Sequence, residues 1–527
     1  MYSKHVIGIY IGTTDSCVAV YDNNQVKILL TDSKGNRSIK SCVAFDGSEF
    51  IVGNEAFNHM TYNPQNCIFD IKMLIGKTYS ELLLTLQTQH RWPFNIESDE
   101  NEHPMIRVTQ SHLSLKLYPE QIYAMLIAKL KHIAEATLGC LITDAVISVP
   151  VTFDYAQREA TKLAATIAGL KSIRLIKEPL AAALPSGIEK REKSAKDVAI
   201  VNIGRTKTEV CILTKEDLIF EIKSLNSCSD MNGDVFDEIL VNYCVRKFKE
   251  IMKNEFIQIP AQSLKRLRKD CEKAKKILSF SQQTTIETND LSEGRDFYYV
   301  LTRKEFEELC DHIFQRIHPL LHNSLKGLED VKIEKVLVIG GSAQIPKLAD
   351  MISNCFSGAE HVFLKDFQEF IAGGAAIFAA ALFNPSYDKL NSDFLLLDAV
   401  GLSLGIEDED GNLVQMIPRG STIPINREYE INQKNSVIIK IYEGEQKLAR
   451  NNLLIKELTF YKVNEFAKIK VSLSVDADSM ISVEVKEDGE TQNKMGEKLE
   501  NRKFSPFEIQ FMTAQNEKLL SRKLDSC

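Results

Sequence analysis

Two short glycine turns, each set between β-branched apolar runs, constrain this chain more than any other feature. Gly8-Ile9-Tyr10-Ile11-Gly12-Thr13-Thr14 leads into Val18-Ala19-Val20, and Val201-Asn202-Ile203-Gly204-Arg205-Thr206-Lys207 leads into Val210-Cys211-Ile212-Leu213. Each reads as strand, tight turn, strand. A glycine at such a turn lets backbone N–H groups approach an anion with no Cβ in the way. Two of them far apart in the chain predict two similar lobes gripping one polyphosphate.

The surrounding pattern supports α/β layers. Ala145-Val146-Ile147-Ser148-Val149 and Val336-Leu337-Val338-Ile339 read as buried strands, and Glu120 to Leu138 and Gln157 to Ala168 carry apolar residues at helical spacing. The pattern breaks near Phe383-Asn384-Pro385-Ser386. Beyond it, short alternating runs such as Ser436 to Tyr442, Ile469 to Val475 and Ile481 to Val485, with turns at Asp410-Gly411-Asn412 and Glu443-Gly444, predict an antiparallel sandwich. Ser505 and Pro506 predict the N-cap and first turn of one closing helix that runs to Leu524.

Composition excludes several classes. At 527 residues, 44% apolar and 26% charged, the chain has room for two to four domains. A net charge of −8 argues against a general nucleic-acid binder, which needs a basic face. Eleven cysteines with no C-x-x-C pair fit reduced thiols better than a disulfide framework or a zinc site. No segment approaches the ~20 apolar residues of a membrane span. The ends suggest no leader, retention or prenylation signal, so cytosol, with the nucleus as a second compartment, is the expectation. Gly76-Lys77-Thr78 lacks the leading glycine of a P-loop. The ten histidines are read as showing no pair at metal spacing, and no metal ligands are assigned.

These motifs, taken in order, resemble the seventy-kilodalton heat-shock chaperone family. The ordered set comprises Gly8 to Thr14, Gly35-Asn36-Arg37, Phe69-Asp70-Ile71-Lys72, Trp92-Pro93-Phe94, Val149-Pro150, Glu178-Pro179, Cys271 to Lys275, Gly340-Gly341-Ser342, Asp393 to Asp398 and Tyr442-Glu443-Gly444-Glu445. The resemblance implies an actin-like two-lobed ATPase domain at 1–385, an interdomain linker at 386–398, a β-sandwich peptide-binding domain at 399–500 and a short C-terminal helix at 501–527. That last segment would be a remnant of the family's helical lid, as in its short, lidless, ribosome-associated branch.

The resemblance also implies ATP or ADP as ligand. Gly12, Thr13, Thr14, Gly204, Arg205, Lys207, Gly233, Gly340, Gly341 and Ser342 fall at phosphate-side positions. Glu272, Lys275, Lys276, Ser279 and Gln344 fall at ribose and base positions, with Lys276 and Gln344 each replacing an arginine of the family. Lys72 matches the family's catalytic lysine and Glu178 its metal-water carboxylate. Pro150, Arg158, Asp393, Leu395 and Leu396 match the interdomain relay. Ile406, Val437, Ile439 and Ile441 match the peptide cleft, although the same apolar positions would also fill a sandwich core. Arg174 and Asp393 match groups that meet J-domain co-chaperones, whereas Lys177 and Leu180 depart from that patch.

Other departures bear on chemistry. The family has Asp at the positions of Tyr10 and Asn202, and Gly-Gly-Thr where this chain has Arg205-Thr206-Lys207. Two carboxylates go and two cations arrive, while Glu209 keeps an acid nearby. Loss of a metal shell removes Lewis-acid stabilisation worth about several kcal/mol. Each lost acid–base or water-positioning group costs roughly 10²–10⁴-fold. The expectation is ATP binding with weak or absent hydrolysis and an uncertain need for Mg²⁺. The chain would act as a chaperone or co-chaperone for nascent or unfolded polypeptide, with a J-domain protein, the ribosome and a nucleotide exchange factor as further partners. The alternatives are a slow ATP-hydrolysing chaperone and a small-molecule kinase on the same fold.

Overall fold

The computed structural model describes residues 5–47, 49–83, 92–110, 113–188, 196–217, 219–383, 395–431, 437–461, 468–477, 479–487, 494–498 and 504–524. Residues up to 397 hold two six-stranded sheets that share a five-strand order and differ in the sixth strand. In the first, the order is Ser172–Lys177, Asp144–Val149, Ile7–Ile11, Asp15–Asp22 and Gln25–Ile28, with Ile39–Lys40 at the side of Asp15–Asp22. In the second it is Glu360–Phe363, Ile333–Ile339, Lys196–Ile203, Thr208–Glu216 and Ile219–Cys228, followed by Leu395–Leu397.

Each sheet is built around the same unit. Ile7–Ile11 runs antiparallel to Asp15–Asp22 and parallel to Asp144–Val149. Lys196–Ile203 does likewise with Thr208–Glu216 and Ile333–Ile339. The β-branched runs are buried on both faces, as strands covered by helices require. These are the two similar lobes that the glycine turns predict.

Helices Glu178–Ile188 and Phe367–Phe383 pack against each other between the sheets, in a core that draws on both. Small residues make the approach possible. A Cβ on Gly374 would lie 1.8 Å from the Ala181 carbonyl oxygen, and one on Gly8 would lie 2.0 Å from the Ala376 nitrogen.

Beyond the lobes, two four-stranded antiparallel sheets share one apolar core. Their strand orders are Leu413–Ile417, Leu404–Glu407, Val437–Glu443, Leu453–Phe460 and Ile425–Ile431, Ile469–Val475, Ile481–Glu487, Lys494–Lys498. Strict alternation of burial along Ile481–Glu487 sets its register, because a one-residue slip would turn Ile481, Val483 and Val485 to solvent.

The closing helix, Pro506–Leu524, starts with the expected cap: the Glu508 N–H donates to Ser505 Oγ and the Ser505 N–H returns to Glu508 Oε2. It lies against the first lobe. Phe504 and Met512 enter that lobe's core, and Asn516 Nδ2 donates to the Gln121 carbonyl oxygen at 3.0 Å. Among the described residues no helix is long and apolar enough to cross a membrane.

Gly374→Ala is expected to cost about 1–3 kcal/mol or more, because the new methyl meets backbone that cannot swing aside. Gly341→Ala, which meets nothing within 4 Å, is expected to stay within about 0.5 kcal/mol of the parent. Urea-unfolding midpoints of the two variants check the pair.

Candidate nucleotide site

The two glycine turns are geometric duplicates. The Gly12 N–H donates to the Asp15 carbonyl at 3.0 Å, and the Gly204 N–H donates to the Lys207 carbonyl at 2.9 Å. Thr13 therefore corresponds to Arg205, Thr14 to Thr206 and Asp15 to Lys207. Tyr10 corresponds to Asn202, two residues before each turn. Gly12 has no room for a side chain, since a Cβ would come within 2.7 Å of Tyr10 Oη. Thr13 is half-buried and Thr14 exposed.

The remaining glycines gather at the second turn. The Gly233 N–H donates to the Gly204 carbonyl at 3.0 Å, and Ser342 Oγ lies 3.4 Å from the same oxygen. Gly340 takes φ of 92° and presses on Ile203, while Gly341 faces open space. Helix Gly233–Met252 is capped by Asn232, whose Oδ1 accepts from the Asp234 and Val235 N–H groups. Gly204, Gly233 and Ser342 are thus in direct contact, with Gly340 and Gly341 immediately before Ser342 in sequence.

The charged groups form a closed network. Lys72, on a short turn after the left-handed Asp70, donates to Glu178 Oε1 at 2.6 Å. Lys207 Nζ lies 3.4 Å from Glu178 Oε2 and 3.0 Å from Glu209 Oε1. Glu209 is fully buried: its Oε1 also accepts from the Val151 N–H and its Oε2 from Asn202 Nδ2, each at 2.9 Å. Two ammonium groups and two carboxylates therefore balance. Arg205 pairs with Asp234 at 2.9 Å and with Asp70 at 3.6 Å.

Burial would push Glu178 up, but Lys207 and Lys72 outweigh it and hold the carboxyl below its ordinary range. Burial pulls the Lys72 ammonium down, against the raising effect of Glu178. For Arg205, burial is outweighed by Asp70 and Asp234, which raise its pKa. Burial, then the nearby Glu178 and Asp15 carboxylates, push the Tyr10 hydroxyl up, so it stays neutral. Its ring lies 5.1 Å from Lys72 Nζ.

The donor set does not suit a divalent cation. Hard cations want several free oxygen ligands. Here Tyr10 presents a neutral ring, Asn202 turns its amide to Glu209, and the carboxylates of Glu178 and Glu209 are already engaged by ammonium. Among the described residues no group of three or more His, Cys, Asp or Glu is arranged to hold a metal. One correction concerns histidine: His318 and His322 stand one helical turn apart with their Nε2 atoms 3.1 Å apart, a chelating spacing that the sequence reading passed over.

The base-side residues divide. Lys275 is committed within the protein, 2.8 Å from both the Gly233 carbonyl and Asp237 Oδ1. Burial raises Asp237 to about 6, with Lys275 opposing. Lys276 pairs with Glu272 at 2.6 Å and is exposed. Ser279 caps the same helix through the Lys275 carbonyl, and Gln344 ends the short turn that begins at Gly341.

The relay residues reach the C-terminal sheets. Arg158 pairs with Glu443 at 3.0 Å, and the Tyr155 N–H donates to the other oxygen of Glu443 at 2.5 Å. Pro150 precedes Val151, whose carbonyl abuts Gly401. Leu395 and Leu396 add a parallel strand to the second lobe through Ile219 and Phe220, and Lys177 pairs with Asp398 at 2.5 Å. Asp393 lies outside the described residues. Ile406, Val437, Ile439 and Ile441 are at most 3% exposed and sit inside the core shared by the two sheets. Leu180 is likewise buried. Asp234 and Tyr155 carry no motif, and Asp70 and Asp398, though inside quoted motifs, show nothing in sequence of their partners Arg205 and Lys177, which lie far away along the chain.

Residues 6–525 match the family model described as Hsp70 protein. This chain belongs to the Hsp70 family. It is 39% identical to a heat shock 70 kDa protein of Neurospora crassa, over 97% of this chain and 80% of that one. A heat shock 70 kDa protein of Emericella nidulans is 35% identical over the same shares, and heat shock cognate 70 kDa protein 3 of Dictyostelium discoideum is 35% identical over 90% and 77%. Hsp70 proteins are ATP-binding chaperones, and the α/β sheets found here are consistent with their two-lobed ATPase fold.

Truncating Lys72 in this Hsp70 leaves Glu178 with one ammonium instead of two. Breaking a buried pair typically costs about 3–5 kcal/mol; Lys72→Met is expected at the low end because Lys207 remains, and Lys72→Met/Glu178→Gln is expected to recover part of the loss. Thermal unfolding without nucleotide checks both.

Proposed function

We propose that this chain is an ATP-binding chaperone or co-chaperone for nascent or unfolded polypeptide in which hydrolysis is weak or absent. The carrying observation is the Lys207 ammonium seated between Glu178 and Glu209, with the Lys72 ammonium on the other oxygen of Glu178 and over the Tyr10 ring. A fixed cation there supplies charge to phosphate without a metal, but it supplies no metal-bound water and no Lewis acid. The nucleotide would enter between the glycine turns, with phosphates on Gly12 to Thr14, Gly204 to Lys207 and Gly340 to Ser342. Its ribose and base would lie by Glu272, Lys276, Ser279 and Gln344.

The proposed division is 1–385 for the nucleotide-binding domain, 386–398 for the linker, 399–500 for a β-sandwich binding polypeptide and 501–527 for a shortened lid. A cytosolic setting, with a J-domain protein, ribosome or exchange factor as partner, belongs to the same reading. The slow-ATPase alternative draws support from Lys72 and Glu178, which still stand together at 2.6 Å.

Two measurements test the main reading. In a single-turnover assay with ATP and Mg²⁺, hydrolysis is expected to stay at the uncatalysed background; turnover abolished by Lys72→Ala would establish the alternative. Calorimetric titration of ATP in EDTA is expected to give binding of the same strength as in Mg²⁺, and strict dependence on Mg²⁺ would refute the internal-cation reading. For the sandwich, a fluorescent extended apolar peptide is expected to dissociate quickly with or without nucleotide, since affinity differences lie mostly in the off-rate.

A further inference from the structure

We propose that Arg205 and Lys207 form a clasp that closes the two lobes and keeps the C-terminal sheets docked when no nucleotide is bound. The inference rests on the reading that cations of the second turn stand where a metal would, and extends it to the chain's conformational control.

Both cations reach across the cleft. Lys207 belongs to the second lobe and meets Glu178, the first residue after the first lobe's edge strand Ser172–Lys177, at 3.4 Å. Arg205 meets Asp70, also of the first lobe, at 3.6 Å. The contact is dry: the side chains of Lys207, Glu178 and Glu209 are 13%, 3% and 0% exposed. Surface ion pairs contribute little, but a carboxylate left buried beside an empty cation position is strongly unfavourable.

The same network continues to the sheets. Glu209 Oε1 holds the Val151 N–H at 2.9 Å, fixing the loop after Pro150. The Val151 carbonyl abuts Gly401, where a Cβ would come within 2.8 Å. Four residues on, Tyr155 opens a helix and enters the core of the C-terminal sheets, and its N–H and Arg158 clamp Glu443. Every link is a direct contact. The link also runs through buried groups, so loss of one has no water to soften it. A metal–nucleotide complex bridging the lobes would be redundant for docking.

The test uses the full chain stripped of nucleotide, with hydrogen exchange read by mass spectrometry. Peptides covering Leu395 to Gly401 are expected to be protected in the wild type without nucleotide, and Mg²⁺–ATP is expected to add no further protection. Lys207→Met is expected to exchange about tenfold faster or more at 395–401 and 151–158. Protection in helix Pro119–Leu138 should stay unchanged, and Lys207→Arg should retain wild-type behaviour at 395–401.

Arg205→Gln gives a second, milder loss on the other side of the clasp, and decides the matter with the wild type if Lys207→Met does not fold. An unprotected linker in nucleotide-free wild type overturns the clasp. So does a folded Lys207→Met, or Arg205→Gln where that variant decides, with unchanged exchange. Failure of ATP to bind in EDTA would instead refute the proposed nucleotide reading and leave the clasp standing.

Discussion

A buried carboxylate has to be answered by a cation, and this molecule answers Glu178 and Glu209 from within. Glu178 accepts Lys72 on one oxygen and meets Lys207 on the other, while Glu209 holds Lys207, Asn202 and the Val151 N–H. At such depth each acid needs hydrogen-bonded, oppositely charged partners to offset the cost of leaving water. The loop after Pro150, the turn at Gly204 and the turn at Lys72 all take their positions from these two acids. Remove the lysines and three separated segments lose their common anchor.

The substitutions make sense together because the fold is a duplicate. Tyr10 and Asn202 occupy equivalent places in equivalent hairpins, and Asn202 sits opposite Glu209 in register. A carboxylate in place of Asn202 would sit against Glu209, two like charges in a dry site. An amide there donates to Glu209 instead. Lys207, at the position matching Asp15, then satisfies the oxygen that the amide does not reach. The departures are mutually consistent, which random decay of a binding turn would not produce. The adjacent packing fits the exchange: the Tyr10 hydroxyl fills the space that a side chain at Gly12 would need.

What was legible in the sequence was local. Glycine between β-branched runs marked both turns, alternation marked the strands of the C-terminal sheets, and Ser505-Pro506 with Glu508 marked a helix start. Lys72, Glu178, Arg205 and Lys207 could be singled out because each sits in a short ordered motif. Their partners could not. Nothing near Arg205 in sequence points to Asp70, and nothing near Lys275 reveals that Asp237 and the Gly233 carbonyl already claim it. The apolar positions Ile406, Val437, Ile439 and Ile441 illustrate the same limit. Alternation says that one face is dry, but whether a peptide or the opposing sheet covers it depends on tertiary packing. The resting place of the closing helix depends on Phe504, Met512 and Asn516 finding the first lobe, a long-range contact that helix propensity does not encode.

An internal cation changes the terms on which any anionic ligand binds. Glu178 and Glu209 are tethered beside Lys207, so their effective concentration exceeds that of a free anion by orders of magnitude. A phosphate that merely replaced them would gain little and strand two buried acids. It binds only if it adds contacts that the acids cannot make: backbone N–H groups of the Gly12 turn, the open face of Gly341 and the hydroxyls of Thr13 and Thr14. The ligand must also leave the Lys207 ammonium shared rather than stolen. Such a site favours a polyanion long enough to touch both turns at once.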